Sequence, residues 1–148
     1  MKGQVAFAPG GEVRTYRRAS ALPAAWDDLC TSLLQTRSLL QHYERTNPCR
    51  QRYHALWRAD ELLAGAVVYD ITQNLLTFLG DLPSPVPMNI VGLPASVPPA
   101  GVFGSPDAVG RLLSTVFATE LGLTVALNLP PAVEVPGKHP VRMLPDMI

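Results

Sequence analysis

One stretch, an amphipathic helix followed by an apolar strand, constrains the fold more than any other part of this sequence. Ser105 is a good helix N-cap, Pro106 fits the first helical position, and apolar residues then recur at helical spacing until Gly122 ends the helix. Leu123–Leu129 follows as an almost continuously apolar segment. Such a segment predicts a central strand that is covered on both faces.

The same helix and strand predict a β–α–β crossover. Met88–Leu93 has the composition of a strand, and Pro94–Pro106 is predicted to be a long loop that leads into the helix. Upstream of this unit, the patterns predict a strand at Glu12–Arg17, helices at Ser20–Leu34 and Arg37–Arg45, a hairpin of Arg52–Arg58 with Leu62–Asp70, and a strand at Leu75–Leu79.

The composition excludes several classes of protein. Of the 148 residues, 47% are hydrophobic and only 16% are charged, so the chain has enough apolar surface to form a core. Twelve basic and twelve acidic residues give no net charge. Although Arg50, Arg52 and Arg58 are interleaved with Tyr53 and Trp57, a neutral chain without a wider basic face is not typical of a nucleic-acid-binding domain.

The two cysteines, Cys30 and Cys49, are too few to form a metal site by themselves or a disulfide framework. We expect two reduced thiols, no bound metal and a cytoplasmic location. No run of about 18 apolar residues occurs, so we expect no membrane association. The preference for Arg over Lys and the high content of Ala, Pro and Leu indicate a bacterial origin.

The long loop before the predicted helix is a candidate anion site. A helix N-terminus offers unpaired amides and the positive end of the helix dipole, and Gly101 and Gly104 would let the backbone approach a phosphate closely. The other interpretation is that the prolines and glycines only build a connector. Neither a Walker motif nor a dinucleotide-binding glycine motif is present to decide between the two.

The order of elements, together with the segments Met88-Asn89-Ile90-Val91-Gly92-Leu93-Pro94 and Leu127-Asn128-Leu129-Pro130, resembles the N-terminal part of bacterial GNAT-type acyltransferases of the FemAB-like, two-domain branch. This resemblance implies an α/β fold, a mixed sheet with helices on both faces. It divides the chain into a lead-in (residues 1–20), a GNAT-like half domain (21–131) and an irregular, proline-rich tail (132–148).

The resemblance also implies a function, acyl transfer from acyl-CoA to an amine. The pyrophosphate would bind to amides of the loop before the helix, which are those of Gly101, Val102, Phe103, Gly104 and Ser105. This loop departs from the family's pattern, because Pro98 stands where the family has a basic or amide residue and Phe103 stands where it has a small residue. Because the sequence also ends soon after the fifth predicted strand, we expect a truncated domain that is weakly active or inactive alone.

The sequence identifies no catalytic base. His42, His54 and His139 are widely spaced, and each is expected to be a surface or a hydrogen-bonded histidine. Glu120 is expected to lie on a solvated helix face. The alternative function is a non-catalytic interaction domain, which would self-associate or bind a second protein through the open edge of Leu123–Leu129. The predicted core consists of Trp26, Leu29, Leu33, Val67, Ile90, Leu113, Phe117, Val125 and Leu127.

Overall fold

The structure is a computed structural model that describes residues 5–8, 11–74, 85–94 and 100–136. Within these ranges, seven strands form one sheet. They are β1 (Val5–Ala8), β2 (Gly11–Tyr16), β3 (Gln51–Arg58), β4 (Glu61–Asn74), β5 (Pro85–Val91), β6 (Val102–Gly104) and β7 (Leu123–Ala126). The strands are ordered β1-β2-β3-β4-β5-β7 across the sheet, and β6 pairs with β4.

In the described residues, three α-helices accompany the sheet: α1 (Ala24–Leu29), α2 (Arg37–Thr46) and α3 (Pro106–Thr119). Helix α3 begins as predicted, because the Ser105 hydroxyl accepts a hydrogen bond from the amide of Ala108 and Pro106 lies in the first turn. In the described part of the chain, no helix has the length and apolar character needed to cross a membrane.

The pairing changes from antiparallel to parallel at the last strand. Strands β1 to β5 are antiparallel to their neighbours, whereas β7 runs parallel to β5, with Ile90 opposite Val125. Helix α3 lies in the connection between these two parallel strands. The predicted crossover is therefore confirmed, and so is the mixed α/β fold.

Strand β4 pairs with two different strands along one edge. Its first half contacts β6 and its second half contacts β5. At the point of division, the Val67 amide donates to the carbonyl of Gly101 (2.7 Å) and the Val67 carbonyl accepts from the amide of Gly92 (2.9 Å). A Cβ atom on Gly101 would lie only 2.4 Å from the Cα atom of Gly92, so this close approach of the two backbones requires glycine.

Each face of the sheet buries its own hydrophobic core. Helix α3 covers one face, where Leu112, Leu113 and Val116 pack on Leu56 and Val68. The other face is covered by the segment that contains α1 and α2, and the central residues of that core are Trp26, Leu40, Tyr53, Val67 and Phe103. The expectation of helices on both faces is confirmed.

The predicted helix at Ser20–Leu34 is wrong, because the chain there forms three short pieces. Two 3₁₀ turns, Ala19–Ala21 and Leu33–Gln35, lie on either side of α1. The buried Gln35 causes the break after α1, since its side-chain carbonyl accepts from the amides of Thr31 (3.0 Å) and Ser32 (3.2 Å). These bonds satisfy backbone groups outside a continuous helix.

The predicted central position of Leu123–Leu129 is also wrong. Strand β7 ends at Ala126 and is an edge strand among the described residues. Leu123 is 48% exposed and Leu127 is 40% exposed. An apolar segment looks the same whether its second face is covered or left open, so the sequence pattern does not distinguish the two positions.

Other predictions have mixed outcomes. Trp26, Val67, Ile90 and Leu113 are buried as predicted, whereas Leu33 is 80% exposed and does not belong to the core. The prediction that Leu127 belongs to the core is also wrong, because this residue is 40% exposed. Three other residues of the predicted core are only partly buried: Leu29, Phe117 and Val125. Pro94–Pro106, predicted to be a loop, contains β6. The strand predicted at Leu75–Leu79 lies outside the described residues.

Residues on both sides of the predicted half domain contribute to the same fold. In the predicted lead-in, Val13 is buried in the core under α3. In the predicted tail, Val133 and Val135 are buried against that core, and the carbonyl of Glu134 lies so close to Gly110 that a Cβ atom there would be 2.1 Å from it. The chain up to Pro136 therefore packs across α3.

Candidate functional site

The residues predicted to bind pyrophosphate form part of the sheet. Val102, Phe103 and Gly104 make up β6, which pairs with Ala64–Ala66 of β4. The side chain of Val102 enters the core under α3, and that of Phe103 enters the core on the opposite face. The structure keeps these residues together, but as a short strand rather than as an open loop.

Phe103 anchors this strand. Its ring meets the ring of Trp26 edge-on, with 4.7 Å between the ring centroids, and the side chain is 3% exposed. Gly104 has a φ angle of +128°, and a Cβ atom at that position would lie 2.5 Å from the carbonyl oxygen of Leu63. Both the backbone conformation and the close contact therefore require glycine.

Ser105 connects this strand to α3, and its side chain occupies one of the free amides at the start of the helix. Its hydroxyl accepts from the amide of Ala108 at 3.3 Å, and Pro106 has no N–H group. The helix start therefore keeps at most the amides of Ser105 and Asp107 for an anion. Asp107 carries a negative charge in this first turn and pairs with Arg111 at 3.0 Å.

A polar cluster lies at the opposite end of α3. There, Glu120 follows the last helical turn and contacts Arg52 and His54 of β3, which in turn contact polar side chains of β2, β4 and β5. We call this cluster the Arg52–Glu120 network; it consists of Thr15, Arg52, His54, Asp70, Asn89 and Glu120.

Arg52 is the centre of the network. Its guanidinium group donates to both carboxylate oxygens of Glu120, from Nε at 2.7 Å and from Nη2 at 2.8 Å. It also donates to Asp70 (2.5 Å) and to the side-chain carbonyl of Asn89 (2.8 Å). Because these partners are the residue that directly follows α3 and residues of β4 and β5, a single planar guanidinium group holds the end of the helix against the sheet.

Asn89 continues this fixation toward β7. Its side-chain amide donates to the carbonyl of Leu121 at 2.7 Å. Leu121 lies just beyond the C-terminal end of α3. The same amide is 3.4 Å from the hydroxyl of Thr124 on β7. The connection from the helix to the parallel edge strand is therefore held by a residue of β5.

His54 is buried between two polar partners. Its Nδ1 atom lies 2.9 Å from the Thr15 hydroxyl and its Nε2 atom 2.8 Å from Glu120. Burial by itself would raise the pKa of Glu120, but hydrogen bonds from His54 and Arg52 and the charge of Arg52 lower it to about 2. Since the ionised carboxylate only accepts, Nε2 donates to it, and Nδ1 is hydrogen-bonded to the Thr15 hydroxyl.

These contacts limit the chemistry of the network. Glu120, with a pKa of about 2, has little tendency to take up a proton near neutral pH. Both ring nitrogens of His54 are engaged, and its side chain is 5% exposed. The arrangement therefore stabilises the helix end and is poorly suited to general-base catalysis.

A surface cleft of about 340 Å³ borders the network. Asp70 and Asn89 belong to both, and Arg50 contributes a second cation that pairs with Asp70 at 3.2 Å. The remaining lining comes from Ile71, Thr72, Pro87, Met88, Leu121 and Gly122. Because the Asp70 carboxylate is already paired with two arginines, the cleft presents no unpaired carboxylate at this position.

Two expectations about histidine and glutamate have different outcomes. His54 is a hydrogen-bonded histidine, as predicted. Glu120 does not lie on a solvated helix face, because its side chain is only 10% exposed. His42 belongs to α2 and packs against Tyr43, and His139 lies outside the described residues. Across the ranges that the structure covers, no three His, Cys, Asp or Glu side chains come together as a metal site would require.

Comparisons with known proteins identify no relative of this chain. No family model, no curated protein and no solved structure matches it. The interpretation of function therefore depends on the topology and on the two ends of α3.

The roles of Arg52, Asp70 and Asn89 in this network were not predicted from the sequence. A signal was available: Arg52 and His54 occupy alternate positions of β3, so two polar residues in succession point to the face that α3 covers. A polar pair on a face that is otherwise apolar indicates that a charged residue from another element meets it there.

Proposed function

We propose that this chain is a GNAT-like acyltransferase domain, of the class that transfers an acyl group from acyl-CoA to an amine. The observation that supports this most is the parallel pairing of β7 with β5, with α3 in the connection, beside an antiparallel meander. This is the order of elements that the sequence resemblance implies. The free thiols of Cys30 and Cys49 fit the cytoplasmic location proposed for such a domain.

The N-terminal end of α3 is the place at which acyl-CoA would bind. The helix dipole favours an anion there, and the amides of Ser105 and Asp107 are the donors available at the helix start. The preceding residues, Gly101 to Gly104, would contribute only on the side of β6 that does not pair with β4. We therefore expect a weak pyrophosphate site.

Turnover by this domain would be low for two further reasons. The carboxylate of Asp107 lies in the first turn of α3 and would repel a pyrophosphate. The only strongly perturbed carboxylate in the described ranges, that of Glu120, lies beyond the opposite end of a 14-residue helix, about 20 Å away at 1.5 Å per residue. It is also locked by Arg52 and cannot act on an amine near the thioester.

A calorimetric titration with acetyl-CoA tests this proposal. The Asp107→Asn variant removes the repulsive charge and should tighten binding about two- to fivefold. Asp28→Asn is the matched control, because Asp28 is an exposed residue of α1, which packs on the face of the sheet opposite to α3. Turnover with a panel of amines should remain low in all three proteins.

Equal affinities of the two variants would contradict binding at the α3 N-terminus. No heat of binding with any of the three proteins would contradict the acyl-CoA proposal as a whole.

A further inference from the structure

We infer that two copies of this chain pair through strand β7 and thereby form one continuous sheet. This interaction is independent of acyl-CoA binding, since it uses the edge of the sheet and not the start of α3. Three observations lead to it: the backbone hydrogen-bonding groups on the open edge of β7, the register that a twofold axis allows, and the absence of charged residues from the segment around β7.

The outer edge of β7 exposes backbone groups that are suited to a second strand. The amide of Leu127 donates to the carbonyl of Val91 on β5, so the backbone hydrogen-bonding groups of Leu127 point toward β5. Successive residues of a strand direct these backbone groups to opposite sides. Those of Val125 therefore also point toward β5, whereas those of Thr124 and Ala126 point toward the open edge. In the part of the chain that the structure describes, no strand lies beyond them.

A twofold axis selects one register. If Val125 lies opposite Val125 of the second copy, Thr124 of each copy lies opposite Ala126 of the other. Both outward-facing residues then form hydrogen-bonded pairs, which in an antiparallel ladder exchange two bonds each. If the register shifts by two residues in either direction, only Thr124 or only Ala126 forms such a pair within β7. The centred register therefore uses the largest number of backbone donors and acceptors on the open edge.

The side chains of this strand are self-complementary in the same register. Leu123, Val125 and Leu127 share the face that points away from α3, since Thr124 and Ala126 between them lie on the α3 side with Asn89 and the core. Leu123 is 48% exposed and Leu127 is 40% exposed. Pairing would place Leu123 opposite Leu127 of the second copy and create one apolar strip of six side chains.

The edge also lacks the features that usually prevent such pairing. The segment Leu121–Val133 contains no Lys, Arg, Asp or Glu, and β7 contains no Pro. Soluble proteins commonly protect exposed edge strands with charges, prolines or bulges. A neutral, self-complementary edge of this kind favours a second copy of the same chain over a charged partner. Since β7 has only four residues, we expect a dimer of micromolar affinity.

A charge-pair experiment at the twofold axis tests this inference. In the centred register, Val125→Lys places two ammonium groups opposite each other, and Val125→Glu places two carboxylates there. Light scattering at a concentration well above the expected dissociation constant should give twice the 16.0 kDa chain mass for the unchanged protein and the single chain mass for each variant. An equimolar mixture of the two variants should recover the dimer, because opposite charges then face each other.

The mixing step distinguishes loss of the interface from loss of folding, since two unfolded variants would not restore a dimer. Leu33→Lys is the matched control, because it introduces the same charge at an apolar residue that is 80% exposed and belongs to the 3₁₀ turn Leu33–Gln35 instead of β7. A monomeric unchanged protein would overturn the inference. So would dimers that persist in both variants, or a mixture that remains monomeric.

Discussion

The two ends of α3 are built from opposite kinds of chemistry. At its start, the chain enters through an apolar strand that is fixed by Phe103 packing on Trp26, and Ser105 provides the only side-chain cap. At its end, Glu120 enters a network of charged and polar side chains that is centred on Arg52. One end is held by burial and the other by charge-assisted hydrogen bonds.

This difference shows where a sequence reading is reliable and where it fails. The start of α3 is encoded in consecutive residues, Ser105-Pro106-Asp107, so its cap is visible in the sequence. The network at its end joins residues as far apart as Thr15 and Glu120. Its members become neighbours only after the sheet has formed.

The largest expected effect concerns the apolar end. Phe103→Ala removes a ring that is 3% exposed and should lower the free energy of unfolding by about 3–5 kcal/mol. Urea denaturation measures this loss. Leu33→Ala, at a residue that is 80% exposed, is the control and should cost less than about 0.5 kcal/mol. A loss below about 1 kcal/mol for Phe103→Ala would show that β6 is not anchored in the core.

The next effect concerns the polar end. Arg52→Ala leaves the largely buried carboxylates of Glu120 and Asp70 without their main partner, and it should cost about 3 kcal/mol of unfolding free energy. The control is Arg50→Ala, because Arg50 also pairs with Asp70 but its side chain is 88% exposed. That variant should lose less than about 1 kcal/mol in the same urea titration. Equal losses for the two arginines would contradict the central position of Arg52.

Acid should weaken the polar end of α3. The folded chain holds the pKa of Glu120 at about 2, below its ordinary value of 4.5, so this carboxylate stabilises the fold above about pH 4.5. The contribution is lost as the pH falls toward 2. The stability difference between the unchanged protein and Glu120→Gln should therefore shrink by about 2 kcal/mol between about pH 6 and pH 3.

A control accompanies this pH series. Glu61→Gln changes a carboxylate that is 68% exposed, and it should alter stability by less than about 0.5 kcal/mol. If the difference between the unchanged protein and Glu120→Gln is the same at both pH values, the Arg52–Glu120 network does not hold the carboxylate ionised.

The smallest effect is that of the helix cap. Ser105→Ala removes the acceptor for the amide of Ala108 and should cost about 1 kcal/mol. Ser114→Ala, within the same helix, is the control and should be neutral or slightly stabilising because alanine is the better helix former. Thermal unfolding followed by circular dichroism compares the two variants. A neutral Ser105→Ala would mean that β6 alone fixes the start of the helix.

Particular elements show how much of the fold was predictable. The hairpin of β3 and β4, helix α2, the start of α3 and the parallel crossover all follow from local patterns, because each depends on residues that are near one another in sequence. The edge position of β7 and the break at Gln35 did not follow. The first depends on which strand lies beside it, and the second on a side chain that also donates to the distant carbonyl of Ala100.

The candidate site was predictable to a smaller extent. The segment Gly101–Ser105 could be located before α3, but its pairing with β4 depends on the close contact of Gly101 with Gly92. No pattern in the loop itself indicates that contact. Similarly, the buried state of Glu120 depends on Arg52, which lies 68 positions away in sequence.

Hydrogen exchange in the presence of acetyl-CoA tests the proposed function most directly, because it locates the ligand as well as detecting it. Binding at the start of α3 should slow exchange at the amides of Ser105 and Asp107 and leave the residues around Arg52 unchanged. Protection confined to the cleft beside Arg50 and Asn89 would contradict this assignment. So would the absence of any protection at a saturating concentration of acetyl-CoA.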